Sequence, residues 1–170
     1  MQRLIRVFYL CENLKVRIQS AWEKLPVPDT DSVCELEKSV ILREPKEINE
    51  WINGKCFDKI SCANNFEYQM PFYYLTNVAA SYYLGGYMLQ SCQNLSEGYE
   101  QLENSFGFDH LLDFISSSRA ASVLMLLDYD CRIVLLAFIE MILIISDEIK
   151  LDQNRVGIMY AFLNAHNGFA

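Results

Sequence analysis

FYYLTNVAASYYLGGYML, residues 72–89, holds six aromatic side chains and no charged one. Thr76 is a favourable N-cap residue, so this stretch predicts a helix from there to about Cys92. A stripe at intervals of three and four is typical of a core-facing helix. It comprises Leu75, Val78, Ala79, Tyr82, Tyr83, Gly86 and Leu89.

Gly85 and Gly86 interrupt this helix, where each glycine costs about 1 kcal/mol relative to alanine. The pair therefore predicts a close approach of another helix or a local kink. It lacks the preceding strand and the Lys-Ser/Thr that would hold a phosphate. The stretch is predicted to be a core helix rather than a membrane span or a ligand loop.

Helical patterns also flank this stretch. An amphipathic helix is predicted from about Gln2 to Lys24, before Pro26, and a short one is predicted to end at Gly54. The charged residues inside the N-terminal helix argue against an export signal. Its apolar stripe comprises Leu4, Phe8, Cys11, Leu14, Ile18 and Trp22.

Further helices are expected towards the C-terminus. Ser96 is expected to open one, Asp109 to cap another, and Asp128 or Asp130 to cap a long apolar helix. A final helix with the sequence QNRVGIMYAFLNAH is predicted after Asp152. No strand alternation is evident, so we expect an all-α fold. The prediction is a single helical domain over residues 1–170, a compact bundle of about six or seven helices.

The most apolar run, Ile133 to Ile145, spans about 13 residues. Because a bilayer-spanning helix needs about 20 apolar residues, this run predicts a buried central helix rather than a membrane segment. Glu140 lies within it and would need a partner or a path to water. A cytoplasmic protein is expected.

Motifs for catalysis and metal binding do not occur. The six cysteines form no C-x-x-C pair, and no H-E-x-x-H or G-x-S-x-G is present. We therefore expect no cofactor, no metal and no enzymatic activity. A catalytic pairing of His110 or His166 with a cysteine is left open by the spacing.

The net charge of −8 is concentrated in the later part of the chain, where residues 94–152 hold eleven acids against Arg119, Arg132 and Lys150. This sign disfavours nucleic-acid binding and suits a basic protein partner. The alternative is that the acidic surface only maintains solubility. The predicted contacts are Glu97, Tyr99, Glu100, Glu103, Asp109 and Asp113.

Two other possibilities follow from the apolar and aromatic residues. A small-ligand or enzymatic pocket would be lined by Tyr73, Tyr82, Tyr83 and Glu140. A homodimer would pack through Ile133–Ile145 or through Arg155–His166.

Four segments, in order, resemble a bacterial family of small, acidic, all-helical domains of unknown function. They are RIQSAWEKLPVPDTDSV, NGKCFDKI, FYYLTNVAASYYLGGYML and LAFIE. They match the P-x-P-x-D loop, the G-K-x-W/F turn, the L-T-x-x-A-x-x-Y-Y-L helix and a late acidic, apolar helix. The similarity covers most of residues 15–145, and its most specific parts are Tyr82-Tyr83-Leu84 and Gly54-Lys55.

The family usually has Pro-Ala at Gly85-Gly86 and Pro-Gly near Pro28-Asp29, differences that change backbone shape and remove no chemical group. The resemblance implies a compact helical fold and a bacterial, cytosolic origin, and it brings no catalytic residues. Small acidic helical bacterial proteins include immunity proteins encoded beside toxins. The expected function is therefore an immunity-like or antitoxin-like protein that neutralises a basic toxin, such as a nuclease.

Overall fold

The helices of the chain are seen in a computed structural model that describes residues 2–29, 33–34, 48, 50–52, 54–59, 71–97, 106–147 and 149–166. Seven α-helices and one 3-10 helix have both ends in these ranges. They are α1 (Gln2–Trp22), the 3-10 helix (Phe57–Lys59), α2 (Pro71–Tyr74), α3 (Asn77–Glu97), α4 (Phe106–Ile115), α5 (Ser118–Leu124), α6 (Tyr129–Ile144) and α7 (Gln153–His166).

The fold is all-α, as the sequence predicts. Within the described ranges no strand is present, and one isolated antiparallel bridge joins Cys34 to Leu75. The buried apolar side chains form one cluster that extends from Val7 in α1 to Leu163 in α7. No described helix has both the length and the apolar character needed to cross a membrane.

α3 is the central helix of the fold. It packs against α1, the 3-10 helix, α4 and α5, and every residue from Ala79 to Met88 is buried. The prediction of a single buried stripe was therefore too narrow, because neighbours surround the middle of the helix. It was also wrong at Val78, which is 53% exposed, and the helix continues past Cys92 to Glu97.

The Gly85 backbone faces α1 at close range. A Cβ atom built on Gly85 would lie 2.4 Å from Cγ of Trp22, far inside van der Waals contact. Trp22 is fully buried, and its indole Nε1–H donates to the main-chain oxygen of Ser81 at 2.9 Å. The predicted close helix approach is thus present at Gly85.

α1 follows the predicted bounds closely, and its buried face departs from the predicted stripe at one described position. Its buried face contains Val7 and Cys11, whereas Phe8, predicted to be core, is 45% exposed. The remaining described positions of the stripe, Leu14, Ile18 and Trp22, are buried as predicted.

Three of the predicted helix caps are formed. Thr76 Oγ1 accepts from the Ala79 N–H at 3.2 Å, and Asp128 Oδ1 accepts from the Cys131 N–H at 2.8 Å. Asp152 Oδ1 accepts from two N–H groups at the start of α7, both at 3.0 Å. The predictions for Ser96 and Asp109 were wrong, because both residues lie inside helices.

α6 is buried on one side only. It contacts α1 and α7, and nine of its residues are buried, but Glu140 is exposed. Ile144, one turn later, is exposed as well. Of the two alternatives for Glu140, a partner or a path to water, the structure shows the second, because this position lies on the side of the helix that faces water.

Candidate functional site

The acidic side chains of the later helices lie at the surface. In the described parts of residues 71–166, every acidic residue whose side chain is described is exposed. These residues are Glu97, Asp113, Asp128, Asp130, Glu140, Asp147 and Asp152.

The arginines of the same region bond to the chain itself. Arg119 donates through Nη1 to the main-chain oxygen of Phe72 at 2.6 Å, and also to that of Leu75. Arg132 donates through Nε to the main-chain oxygen of Leu127 at 2.8 Å. Both side chains are only partly exposed and are held by the chain, so they are less available to an outside partner than the exposed carboxylates are.

Arg155 bonds to carboxylates instead. Its Nη2 lies 2.6 Å from Oδ1 of Asp113, and its Nε lies 3.5 Å from Oδ2 of Asp152. Asp113, a predicted partner contact, is therefore already held in an ion pair. The pair is partly exposed, so a competing cation from a partner could still exchange with Arg155 at modest cost.

The predicted partner contacts are only partly described. Glu97 is exposed in the last turn of α3 and accepts a hydrogen bond from Gln93. Asp109 lies in α4, but its side chain is outside the described set. Tyr99, Glu100 and Glu103 lie outside the described residues altogether.

Glu140 and Asp147 were not among the predicted partner contacts. Both are exposed, and neither forms an ion pair within the described part of the chain. Asp147 follows α6 and Glu140 lies in its last turns. The sequence signal for Asp147 was its place just after the apolar run, whereas nothing local marks Glu140 as exposed.

Two of the four predicted pocket residues belong to the core instead. Tyr83 is fully buried, and its hydroxyl donates to the main-chain oxygen of Ile52 at 3.1 Å. Burial raises the pKa of Tyr83 to about 12. The Tyr82 hydroxyl accepts from the Phe57 N–H at 3.4 Å, and burial likewise raises the pKa of Tyr82. These hydroxyls connect α3 to the segments that pack on it.

Tyr73 lies instead at a cavity of about 320 Å³ between α2, α4 and α5. Neither Tyr82, Tyr83 nor Glu140 lines this cavity, so the four residues do not share it. Its lining residues are Phe72, Tyr73, His110, Asp113, Phe114, Ser117 and Arg119.

Four of the five described cysteines are buried thiols, and Cys56 is exposed. Cys11 Sγ contacts Met141 Sδ at 3.6 Å, and a hydrogen bond with Cys92 lowers the pKa of Cys11. Burial raises the pKa of Cys131. No group of metal-binding side chains is found among the described residues, and no cysteine lines the cavity beside His110.

Protein-family models, curated proteins and solved structures were compared with the chain, and none of them matches it.

Proposed function

We propose that the chain is a non-enzymatic, immunity-like or antitoxin-like protein of the bacterial cytoplasm that neutralises a basic toxin, such as a nuclease. One observation carries this proposal. The described acidic side chains of the later helices are exposed, whereas Arg119, Arg132 and Arg155 bond to the chain itself.

The electrostatic reason is that a nuclease needs Lys and Arg side chains to hold phosphates. An acidic protein surface carries the same sign of charge as nucleic acid. It can therefore occupy the phosphate-binding site of the nuclease in place of the nucleic acid. Opposite potentials accelerate encounter and fix the orientation of the complex.

The proposed contact surface combines predicted and newly found residues. Glu97 and Asp113 are exposed, and Glu140 and Asp147 supply further carboxylates. Tyr99, Glu100, Glu103 and Asp109 remain predicted contacts. Tyr99 would be the aromatic anchor, because tyrosines are frequent hot spots at interfaces.

Co-expression tests this function. Genes that lie beside the coding sequence and encode basic proteins are expressed with and without the chain. We expect at least one to arrest growth alone and to lose its toxicity when the chain is present. The proposal fails if none is toxic, or if toxicity persists with the chain present at equal abundance.

A helical homodimer is the second candidate. The observation that favours it is that Ile144, Ile158 and Tyr160, on the two helices predicted to form such an interface, are exposed. Light scattering of the purified chain over a range of concentrations distinguishes the candidates. A stable dimer with no affinity for basic proteins would favour this second function.

A further inference from the structure

The cavity beside Tyr73 has the properties of a ligand site. Its volume of about 320 Å³ falls within the range of about 300–1,000 Å³ that small-molecule pockets occupy. Phe72, Tyr73 and Phe114 contribute six-membered aromatic rings, and five of the seven lining residues carry a polar or charged group. An apolar interior with a few polar groups is the usual composition of such pockets.

Aromatic rings line part of the cavity. Phe72 and Phe114 are buried and stacked, with ring centroids 4.5 Å apart and an interplanar angle of 16°. Tyr73 is 59% exposed and stands at the edge of the cavity. A planar aromatic molecule would contact these three rings in the offset or edge-on arrangements that aromatic groups prefer.

The walls carry charges of both signs that are already engaged. Asp113 pairs with Arg155 at 2.6 Å, and Arg119 is held by the main-chain oxygens of Phe72 and Leu75. A charged ligand would meet a like charge as well as an opposite one, and it would also lose its hydration. These walls therefore favour a neutral molecule.

Ser117 specifies one polar feature of the ligand. Its hydroxyl donates to the main-chain oxygen of Phe114 at 2.6 Å, which leaves the lone pairs of Oγ to accept a hydrogen bond. The matching group on a ligand is an N–H or O–H donor.

We infer that the cavity between α2, α4 and α5 binds a small, neutral aromatic molecule that carries one N–H or O–H donor. This inference does not rest on the proposed function, although the cavity shares Asp113 with the proposed contact surface.

The test uses four probes on the full chain: phenol, toluene, benzoate and benzylamine. Binding is followed by ¹H–¹⁵N NMR shifts of the main-chain amides. Phenol is expected to bind more tightly than toluene, which lacks the donor, and more tightly than both charged probes. The largest shifts are expected at Tyr73, Phe114 and Ser117.

Variants then identify the site. Tyr73→Ala removes an exposed wall and should weaken phenol binding by about two- to tenfold, the effect of one aromatic contact. Ser117→Ala should reduce the preference for phenol over toluene. The helix beginning at Ser118 has no side-chain cap bond from Ser117, so this variant should remain folded. The control is Tyr160→Ala on α7, since Tyr160 is similarly exposed and does not line the cavity.

Three results would overturn the inference. The first is that none of the neutral probes causes saturable shifts at millimolar concentration. The second is that benzoate or benzylamine binds more tightly than phenol. The third is that Tyr160→Ala weakens phenol binding as much as Tyr73→Ala does.

Discussion

Gly85 is the position where the Trp22 ring of α1 lies against the backbone of α3. No side chain larger than hydrogen fits there, since a Cβ would stand 2.4–2.7 Å from three atoms of the indole ring. The fully buried Trp22 cannot move without disturbing its bond to the Ser81 oxygen. The energetic cost of a glycine inside a helix is therefore balanced by tight packing between two long helices.

Gly85→Ala should accordingly lower the free energy of unfolding by about 1–3 kcal/mol, the usual effect of overpacking. Gly157 provides a matched control within α7, because nothing lies within 4 Å of a Cβ built there. Gly157→Ala should raise the free energy of unfolding by up to about 1 kcal/mol. Urea unfolding measures both, and equal stability of the two variants would contradict the close approach.

Tyr83 links stability to pH through its buried hydroxyl. Its pKa is about 12 in the folded chain, against an ordinary value of 10.0. The unfolded chain therefore releases this proton first as the pH rises. The stabilising contribution is complete below the ordinary pKa and is lost as the pH rises towards the folded value.

We expect the free energy of unfolding of the wild type to fall by about 2–3 kcal/mol from this group as the pH rises from about 9 to 12. Tyr83→Phe should be less stable at neutral pH by about 1 kcal/mol, because the Ile52 oxygen loses its donor. The free energy of unfolding of this variant should fall less steeply as the pH rises. The fall that remains should come partly from Tyr82. Urea unfolding across this pH range measures both proteins. An equal fall in their free energies of unfolding would contradict the prediction.

Helix caps were among the elements that the sequence predicted well. A capping bond joins residues two or three positions apart, so Thr76, Asp128 and Asp152 could be identified locally. The same residue types also occur inside helices, which explains the errors at Ser96 and Asp109. The Ser96 hydroxyl bonds back to the main-chain oxygen of Gln93 within α3.

α2 and α5 were missed because their stability depends on distant residues. They contain four and seven residues, too few for apolar periodicity to appear. Arg119 of α5 bonds to Phe72 and Leu75, at α2 and just after it, and also to Asn77 at the start of α3. No local pattern in the sequence indicates such a connection, so the cavity between these helices could not be predicted either.

Asp128 provides a test of the cap of α6. Asp128→Ala should lower the free energy of unfolding by about 1 kcal/mol, because the Cys131 N–H loses its acceptor. Asp128→Asn keeps a capping oxygen and should retain most of the stability. Thermal or urea unfolding measures the stability of both variants. If the two are equally stable, the cap contributes little.

The net charge of the molecule and the position of the acids along the chain were evident from the sequence, but the distribution of charge over the surface was not. The count of acids against bases predicted an acidic later half. Only the structure shows that the arginines of this half bond to the chain itself, while Glu140 and Asp147 are exposed. For Glu140 the sequence left open a partner or a path to water, because the apolar run around it conceals which side of α6 it occupies.

Charge reversal tests which carboxylates matter for a basic partner. Glu140→Lys with Asp147→Lys should slow association by about tenfold, since both contribute to the attracting potential. Glu23→Lys with Glu50→Lys is the matched control, because these exposed acids lie outside the proposed surface and change the net charge equally. An equal reduction of the association rate in both double variants would show that only net charge acts.

The association rate constant between the wild-type chain and the basic protein encoded beside it, measured against ionic strength, tests the proposed protein-binding function. We predict that the rate constant falls by about tenfold or more between about 0.05 and 0.3 M salt, because salt screens attraction between exposed charges. A rate constant independent of salt, or no association with any basic neighbour, would contradict the proposal.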